Sequence, residues 1–368
     1  MQIFGDYTWE DFTLVHKIVL AFYILFGTFI LKLLIGQKQR FIRNDKVILI
    51  SYIIFLILFA GLREKDIGTD TSNYYNFYFI PTTTQLTSYF EVFKRLNSDF
   101  LFEVLMSFSY WHHSYKLFLL SVAIVMNVSL YIFVRKFTNY GKKGSSLILF
   151  LTLASSFSFL SIEVNIIRNG LSICFILFGI YSVLEKKYKN FVIYAIVAYL
   201  FHRTAIIPIV VILIIKLFER VQIKYYLIFY VLAILGSLAG FGFHAISFLS
   251  QIGGDDMAAL SYSGDTTYRI GFRPDFVAYN TFFLFLFLKF STKNTTDSFL
   301  IKYYILSSVI FFFNFYIPQS DRFGLFGWVV IPLLLFNTIN EKFPKRKIYI
   351  STIIVISYFV INNIILFP

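Results

Sequence analysis

The sequence predicts an all-α polytopic membrane protein with about 10–13 transmembrane helices. Of its 368 residues, 58% are hydrophobic and only 14% are charged, and the mean hydropathy is +0.72. Apolar runs such as 17–35 and 348–367 are long enough to cross about 30 Å of hydrocarbon at about 1.5 Å per residue. The 48 Phe and 26 Tyr residues beside 7 Pro favour helices over the alternating pattern of a β-barrel.

The basic residues indicate membrane topology rather than a nucleic-acid partner. The net charge is +13, but most lysines and arginines lie in short loops between apolar runs, and such loops are cytoplasmic by the positive-inside rule. Six clusters are assigned to the cytoplasm: 38–46, 135–143, 186–189, 216–224, 289–302 and 342–347.

These anchors divide the chain into ten spans and two irregular stretches. The predicted spans are 14–35, 46–62, 114–134, 146–162, 166–184, 225–243, 275–289, 302–317, 322–337 and 348–367. Residues 190–215 have cytoplasmic lysines on both flanks but are too short for two full spans, which predicts two short helices meeting at His202-Arg203. Residues 100–112 predict a re-entrant or interfacial helix. Broken backbone at membrane depth needs protein or water to satisfy it, so both stretches indicate a cavity.

The chain is expected to form a single integral membrane domain over 1–368. Its two sizeable outer loops, 63–99 and 244–274, are too small for a soluble domain with its own core. The only cysteine, Cys174, lies in an apolar run, which excludes an intrachain disulfide and a cysteine-based metal site.

Arginines at the ends of spans opposite the lysine-rich loops are candidates for binding a phosphate or pyrophosphate. A guanidinium keeps its charge and binds phosphate oxygens through two parallel hydrogen bonds. The alternatives are snorkelling at the interface and salt bridges to neighbouring acids such as Asp275 and Asp321. The candidates are Arg63, Arg168, Arg203, Arg269, Arg273 and Arg322.

Three residues are candidate catalytic groups. His202 lies at the predicted break and has a side chain that titrates near neutral pH, although a structural histidine bonded to backbone is the alternative. Asp70 and Glu163 are candidate bases, with Glu103 as a further one. The alternative for Asp70 is a helix cap that follows a turn at Gly68. No metal-binding spacing is present, so neither a metal nor another cofactor is expected.

Several motifs resemble the EpsG family, relatives of the Wzy O-antigen and capsule polymerases. Arg63 ends a span and is followed by Gly68-Thr69-Asp70-Thr71; Arg168 opens a later span, Phe201-His202-Arg203-Thr204-Ala205 resembles the family's Phe-His-x-Ser-Ala step, and Arg322 matches a late arginine. Asn169 stands where the family often has Gln, and Thr204 replaces the Ser. The resemblance runs from about residue 60 to 325.

The resemblance implies a metal-independent membrane glycosyltransferase of the Wzy type. Such an enzyme transfers a growing glycan from undecaprenyl pyrophosphate to the next lipid-linked repeat unit on the outer face of the bacterial cytoplasmic membrane. Its implied partners are the undecaprenyl-pyrophosphate-linked oligosaccharide and membrane lipid, with a chain-length regulator and a flippase as further candidates.

Two other activities stay open. An O-antigen ligase or another polyprenyl-linked glycosyltransferase would use the same arginines with a different acceptor. A lipid-linked glycan flippase is ranked last, because the sequence shows no internal duplication of the kind common in transporters.

Overall fold

The described part of the chain is helical. The computed structural model describes residues 8–80, 99–139, 143–242, 269–292 and 294–366, and these residues form helices and turns without a strand. Within those ranges, seven helical segments are long and apolar enough to cross a membrane, when Asp321–Lys342 and Lys347–Ile365 are each counted as one segment. The prediction of an all-α, multi-pass membrane protein is therefore confirmed.

The α-helices are numbered here in chain order. They are α1 (Trp9–Leu33), α2 (Lys38–Gly61), α3 (Thr69–Asn73), α4 (Phe100–Trp111), α5 (Tyr115–Phe137), α6 (Ser146–Ala154), α7 (Phe159–Val164), α8 (Ile167–Leu184), α9 (Tyr188–Phe201), α10 (Ile206–Leu217), α11 (Ile223–Leu238), α12 (Pro274–Phe290), α13 (Thr295–Phe313), α14 (Asp321–Trp328), α15 (Ile331–Lys342) and α16 (Lys347–Val360). π-helical turns continue α3 over Tyr74–Phe79 and α16 over Ile361–Ile365.

The helices fall into two compact units. The first contains α1 to α9 and α16, and the second contains α10 to α15. The single integral domain expected over 1–368 stays a prediction.

Helix α8 is the centre of the first unit. It packs against α5 and α9, and 78% of its 18 residues are buried inside the protein. Its inward side chains include Leu171 and Leu177, both fully buried. A helix enclosed in this way is held by protein contacts along most of its length, so polar groups at its ends are fixed in position.

Helix α13 is the centre of the second unit and packs against α11, α12, α14 and α15. Its Phe311 lies 5.2 Å from the ring of Trp328, and Phe276 of α12 lies 5.1 Å from the same ring. Edge-to-face and tilted pairs at these separations are favourable for aromatic rings. This cluster fixes the start of α12 against α14.

Two predicted spans are interrupted in the structure. The span over 146–162 is divided between α6 and α7, where Ser155 bonds back to the Leu151 carbonyl at 2.7 Å; this type of serine bond often bends helices. The span over 322–337 is divided between α14 and α15, because Pro332 has no N–H to offer the carbonyl one turn earlier.

The two stretches predicted not to form full spans contain only short helices. Helix α4 has 12 residues, which is too short to cross a bilayer. Helix α9 ends at Phe201, a 3₁₀ turn covers Arg203–Ala205, and α10 follows, so the predicted helix pair meeting at His202-Arg203 is confirmed. Of the expected outer loops over 63–99 and 244–274, residues 81–98 and 244–268 lie outside the described residues.

Candidate functional site

A break between α7 and α8 carries the first half of the site. Only Asn165 and Ile166 separate the two helices. Gly170 permits their close approach, because a Cβ on this residue would lie 2.2 Å from the carbonyl oxygen of Ile162. The break leaves the Val164 carbonyl available to partners outside its own helix, as expected at a helix end.

The Gly68-Thr69-Asp70-Thr71 turn binds this break. The Val164 carbonyl accepts a hydrogen bond from the Thr71 hydroxyl at 2.6 Å, and the Asn165 side-chain oxygen accepts one from the Asp70 N–H at 2.8 Å. Gly68 has a φ of +96°, and its position directly beside Val164 and Asn165 leaves little space for a side chain. The motif therefore fixes the first loop to the start of α8.

Arg63 also stabilises the contact between the Gly68–Thr71 turn and the break after Val164. Its guanidinium donates to the carbonyls of Ala60 and Val164, the latter at 2.8 Å, and to the Thr71 hydroxyl at 3.2 Å. Only 5% of the residue is exposed. Burial lowers the pKa of Arg63 to about 10, so it remains a cation at neutral pH. These contacts give Arg63 a structural role, while its predicted role in substrate binding stays a prediction.

Asp99 is the centre of the second half of the site. One carboxylate oxygen lies 2.7 Å from Nη1 of Arg168 and 3.2 Å from Nδ1 of His202. The other oxygen accepts the backbone N–H of Arg203 at 3.1 Å. Asp99 thus joins the start of α4, the start of α8 and the break after α9. It brings together two residues that the sequence predicted separately, Arg168 and His202.

The charge of Asp99 is held by these partners. Burial alone would raise the pKa of Asp99, but the hydrogen bond and charge of His202, followed by those of Arg168, lower it below its ordinary value of 3.8. An ionised carboxylate only accepts hydrogen bonds, so the proton of a neutral His202 ring belongs on Nδ1. The lone pair of that ring is then on Nε2.

Arg168 is oriented by aromatic side chains as well as by Asp99. Its guanidinium carbon lies 5.1 Å from the Tyr74 ring centre and 5.7 Å from that of Phe102, and Nε donates to the Tyr74 hydroxyl at 3.0 Å. Its side chain is 21% exposed, and within the described ranges Nη2 has no hydrogen-bond partner. One edge of the guanidinium is thus available to an anion.

Residues adjacent to Arg168 and His202 in the sequence add hydrogen bonds to the cluster around Asp99. Thr204 donates its hydroxyl to the side-chain oxygen of Asn169 at 2.9 Å, which ties the break after α9 to α8 a second time. Arg203 contributes its backbone N–H to Asp99, and its side chain is partly exposed. Both departures from the family pattern, Asn169 and Thr204, therefore bond to each other.

Glu163 and Asp70 lie elsewhere. Glu163 is 1% exposed and accepts a hydrogen bond from Asn127 in the interior of the first unit. Asp70 is half-buried in the turn, where its backbone N–H is the group that bonds Asn165. The catalytic roles expected for these two carboxylates stay predictions.

The three later arginines belong to the second unit. Arg273 is paired with Asp275, with Nη2 and Oδ2 2.8 Å apart, and its guanidinium lies 4.4 Å from the Phe276 ring centre. Arg322 follows Asp321 at the start of α14 and is half-buried, and Arg269 is exposed. The salt bridge to Asp275 is the alternative expected for Arg273, and a role in substrate binding stays a prediction for all three.

Sequence reasoning missed Asp99. It lies 69 residues from Arg168 and 103 from His202 along the chain, and no motif marks it. Its one available signal was its position directly before the helix predicted over 100–112. No metal-binding group of three or more histidine, cysteine or acidic side chains occurs in the part of the chain that the structure describes.

The fold and site define a multi-pass, all-helical membrane protein with a buried carboxylate that holds an arginine and a histidine where helices begin or break. The EpsG family model matches residues 46–368, and the chain belongs to the EpsG family. No curated protein matches the chain, and no solved structure does.

Proposed function

We propose that this protein is a polysaccharide polymerase of the Wzy type. It transfers a growing glycan from undecaprenyl pyrophosphate to the next lipid-linked repeat unit on the outer face of the bacterial cytoplasmic membrane. Membership of the EpsG family supports a polymerase role. The observation that carries the proposal is the junction of Arg168 and His202 on Asp99, since this chemistry needs a cation and a base within one site.

Arg168 stabilises the pyrophosphate leaving group. The acceptor hydroxyl oxygen attacks the anomeric carbon and forms the new glycosidic bond, while the bond from that carbon to the pyrophosphate oxygen breaks and its electron pair leaves with the pyrophosphate. The guanidinium of Arg168 stabilises the charge that develops there. Because Asp99 and Tyr74 hold Nη1 and Nε, the guanidinium presents Nη2 without having to reorient.

His202 acts as the general base for the acceptor hydroxyl. Its Nε2 takes the proton of the attacking hydroxyl, and the resulting imidazolium is stabilised by the carboxylate of Asp99 at Nδ1. Asp99 is thus a positioning residue that acts through both catalytic groups. This arrangement also needs no metal ion to activate the hydroxyl.

The test uses a host in which this gene is deleted and then complemented with the wild-type gene or with a variant. The ladder of lipid-linked and surface glycan is compared between these strains. Deletion should leave a single repeat unit on its acceptor. Arg168→Ala should reduce polymer by at least about 100-fold with the protein still inserted. Arg168→Lys should rescue poorly, because an ammonium cannot bind phosphate in the forked geometry.

Arg220→Ala is the matched control, since it removes an exposed arginine from a predicted cytoplasmic loop and should leave the ladder intact. A full ladder from Arg168→Ala would overturn the assignment of Arg168. Loss of all surface glycan on deletion, with polymer stranded on the carrier lipid, would identify a ligase. The same loss with only single units stranded there would favour a flippase.

A further inference from the structure

A polar cavity lies at the opposite end of α8 from Arg168. It has a volume of about 240 Å³ and is lined by the end of α5, the end of α8 and the start of α9. Arg168 and the last residue of α8 are 16 positions apart, which corresponds to about 24 Å along the helix axis. The cavity is therefore separate from the proposed catalytic site.

The cavity is positively charged and rich in hydrogen-bond donors. Lys136 and Lys187 line it together with the amides of Asn139 and Asn190 and the hydroxyl of Ser182. Among the described residues, Lys136 has no acidic partner; its Nζ lies 5.6 Å from the centre of the Phe178 ring. These groups suit an anion that also carries hydroxyl or ester oxygens.

Glu185 does not neutralise the cavity. Glu185 lies 3.9 Å from Nζ of Lys187, and the two side chains are 39% and 55% exposed. Exposed pairs at this separation are weak. Lys186 and Lys189, both exposed, add further positive charge beside Lys187.

An apolar stripe leads away from the cavity along α5. Ile132, Val128 and Ile124 follow Lys136 at intervals of four residues, so they share its face of the helix. They are 39%, 39% and 42% exposed. In a membrane-spanning helix, such a stripe is covered by lipid acyl chains.

We propose that this cavity binds the headgroup of an anionic phospholipid of the cytoplasmic leaflet. The phosphate lies between Lys136 and Lys187, the polar headgroup contacts Asn139 and Asn190, and an acyl chain covers the stripe on α5. The volume is below the roughly 300 Å³ at which pockets for whole small molecules begin, so it suits a headgroup. The cytoplasmic leaflet is the anionic one, and this end of α8 carries the lysines predicted to face it.

The test measures lipid binding to the full-length protein in detergent by native mass spectrometry. The probes are phosphatidylglycerol and phosphatidylcholine with identical acyl chains. Wild-type protein should bind phosphatidylglycerol more tightly. The double variant Lys136→Ala/Lys187→Ala should bind it about 30-fold more weakly, the loss expected for two lysines at an anionic surface, with phosphatidylcholine unchanged.

Two further variants make the result specific. Lys345→Ala/Arg346→Ala removes the same charge from another exposed basic loop and should bind phosphatidylglycerol like wild type. Lys136→Arg/Lys187→Arg should retain binding, which also shows that the site tolerates replacement of these side chains.

Three outcomes would overturn the proposal: undiminished phosphatidylglycerol binding by the alanine double variant, equal binding of both lipids by wild type, or an equal loss in the Lys345/Arg346 variant. Competition with soluble glycerol 1-phosphate distinguishes the source of the anion. Displacement of phosphatidylglycerol by this compound at micromolar concentration would assign the cavity to a soluble phosphate and not to a lipid.

Discussion

At the scale of single residues, Asp99 explains why Arg168 and His202 can act together. Neither residue has a rigid position by virtue of its own side chain, since arginine has several rotatable bonds and His202 follows the end of a helix. A carboxylate that is 5% exposed and bonded to both removes this freedom. Preorganised charge of this kind is worth more in a site shielded from water than at the surface.

The lowered pKa of Asp99 predicts how stability depends on pH. A carboxylate with a depressed folded-state pKa contributes stability that is fully present above its unfolded pKa, near 3.8, and is lost as pH falls through the lower folded value. Asp99→Asn should therefore be less stable than wild type by about 2 kcal/mol throughout pH 5–8. Melting temperatures in detergent should show this difference shrinking below about pH 4 as wild-type Asp99 takes up a proton.

Asp275→Asn is the control for this measurement. It removes the carboxylate of another arginine pair, but one whose acid is 46% exposed. Its effect at neutral pH should be at most about 1 kcal/mol. Equal melting temperatures of Asp99→Asn and wild type at pH 7, or a difference that persists unchanged at pH 3, would contradict the proposed linkage.

At the scale of elements, the site depends on how helices end. Helices α7 and α8 meet at a two-residue break, α9 ends beside a 3₁₀ turn, and α4 starts directly after Asp99. Each end leaves backbone groups without intrahelical partners. The turn over Gly68–Thr71 satisfies those at Val164, and Asp99 satisfies the N–H of Arg203.

Gly170 tests the importance of the first break. In Gly170→Ala the new Cβ would lie 2.2 Å from the Ile162 carbonyl oxygen, so one helix must move. We expect a loss of about 1–3 kcal/mol, as for other overpacked sites, together with shorter glycan ladders because Arg168 is only two residues away. Melting temperature and the ladder assay measure the two effects.

Gly179→Ala is a control in the same helix. Its Cβ would lie 3.5 Å from the Phe191 ring, an ordinary contact, and alanine favours helix over glycine by up to about 1 kcal/mol. This variant should be at least as stable as wild type. If both variants melt together at the wild-type temperature, the close contact at Gly170 is not a constraint.

Some of these elements were predictable from the sequence and others were not. The break at His202-Arg203 was predictable, because the apolar stretch over 190–215 has lysines on both sides and contains too few residues for two full spans. The break after Ala154 is hidden, because the serines around it lie within a continuous apolar run. The role of Asp99 could be recognised only in the tertiary structure. Its partners, Arg168 and His202, lie in distant parts of the chain, and no repeating sequence pattern indicates that they contact it.

At the scale of the whole molecule, the polar features of the first unit lie at the two ends of α8. Arg168 and its partners occupy the start of the helix, and the lysine-lined cavity occupies its end. A helix of 18 residues covers about 27 Å, close to the thickness of the hydrocarbon core. The two ends are therefore expected at opposite membrane surfaces, with the basic end in the cytoplasm.

Cysteine labelling in intact cells tests this orientation, and the chain is well suited to it because its only cysteine, Cys174, is buried. Asp66→Cys introduces an exposed thiol in the turn next to the Arg168 end, and Lys189→Cys introduces one next to the cavity. A membrane-impermeant maleimide should label position 66 in intact cells and position 189 only after the cells are opened. Wild-type protein, which should stay unlabelled, is the control. The reverse pattern would place the site on the cytoplasmic face, where an outward-facing polymerase could not work.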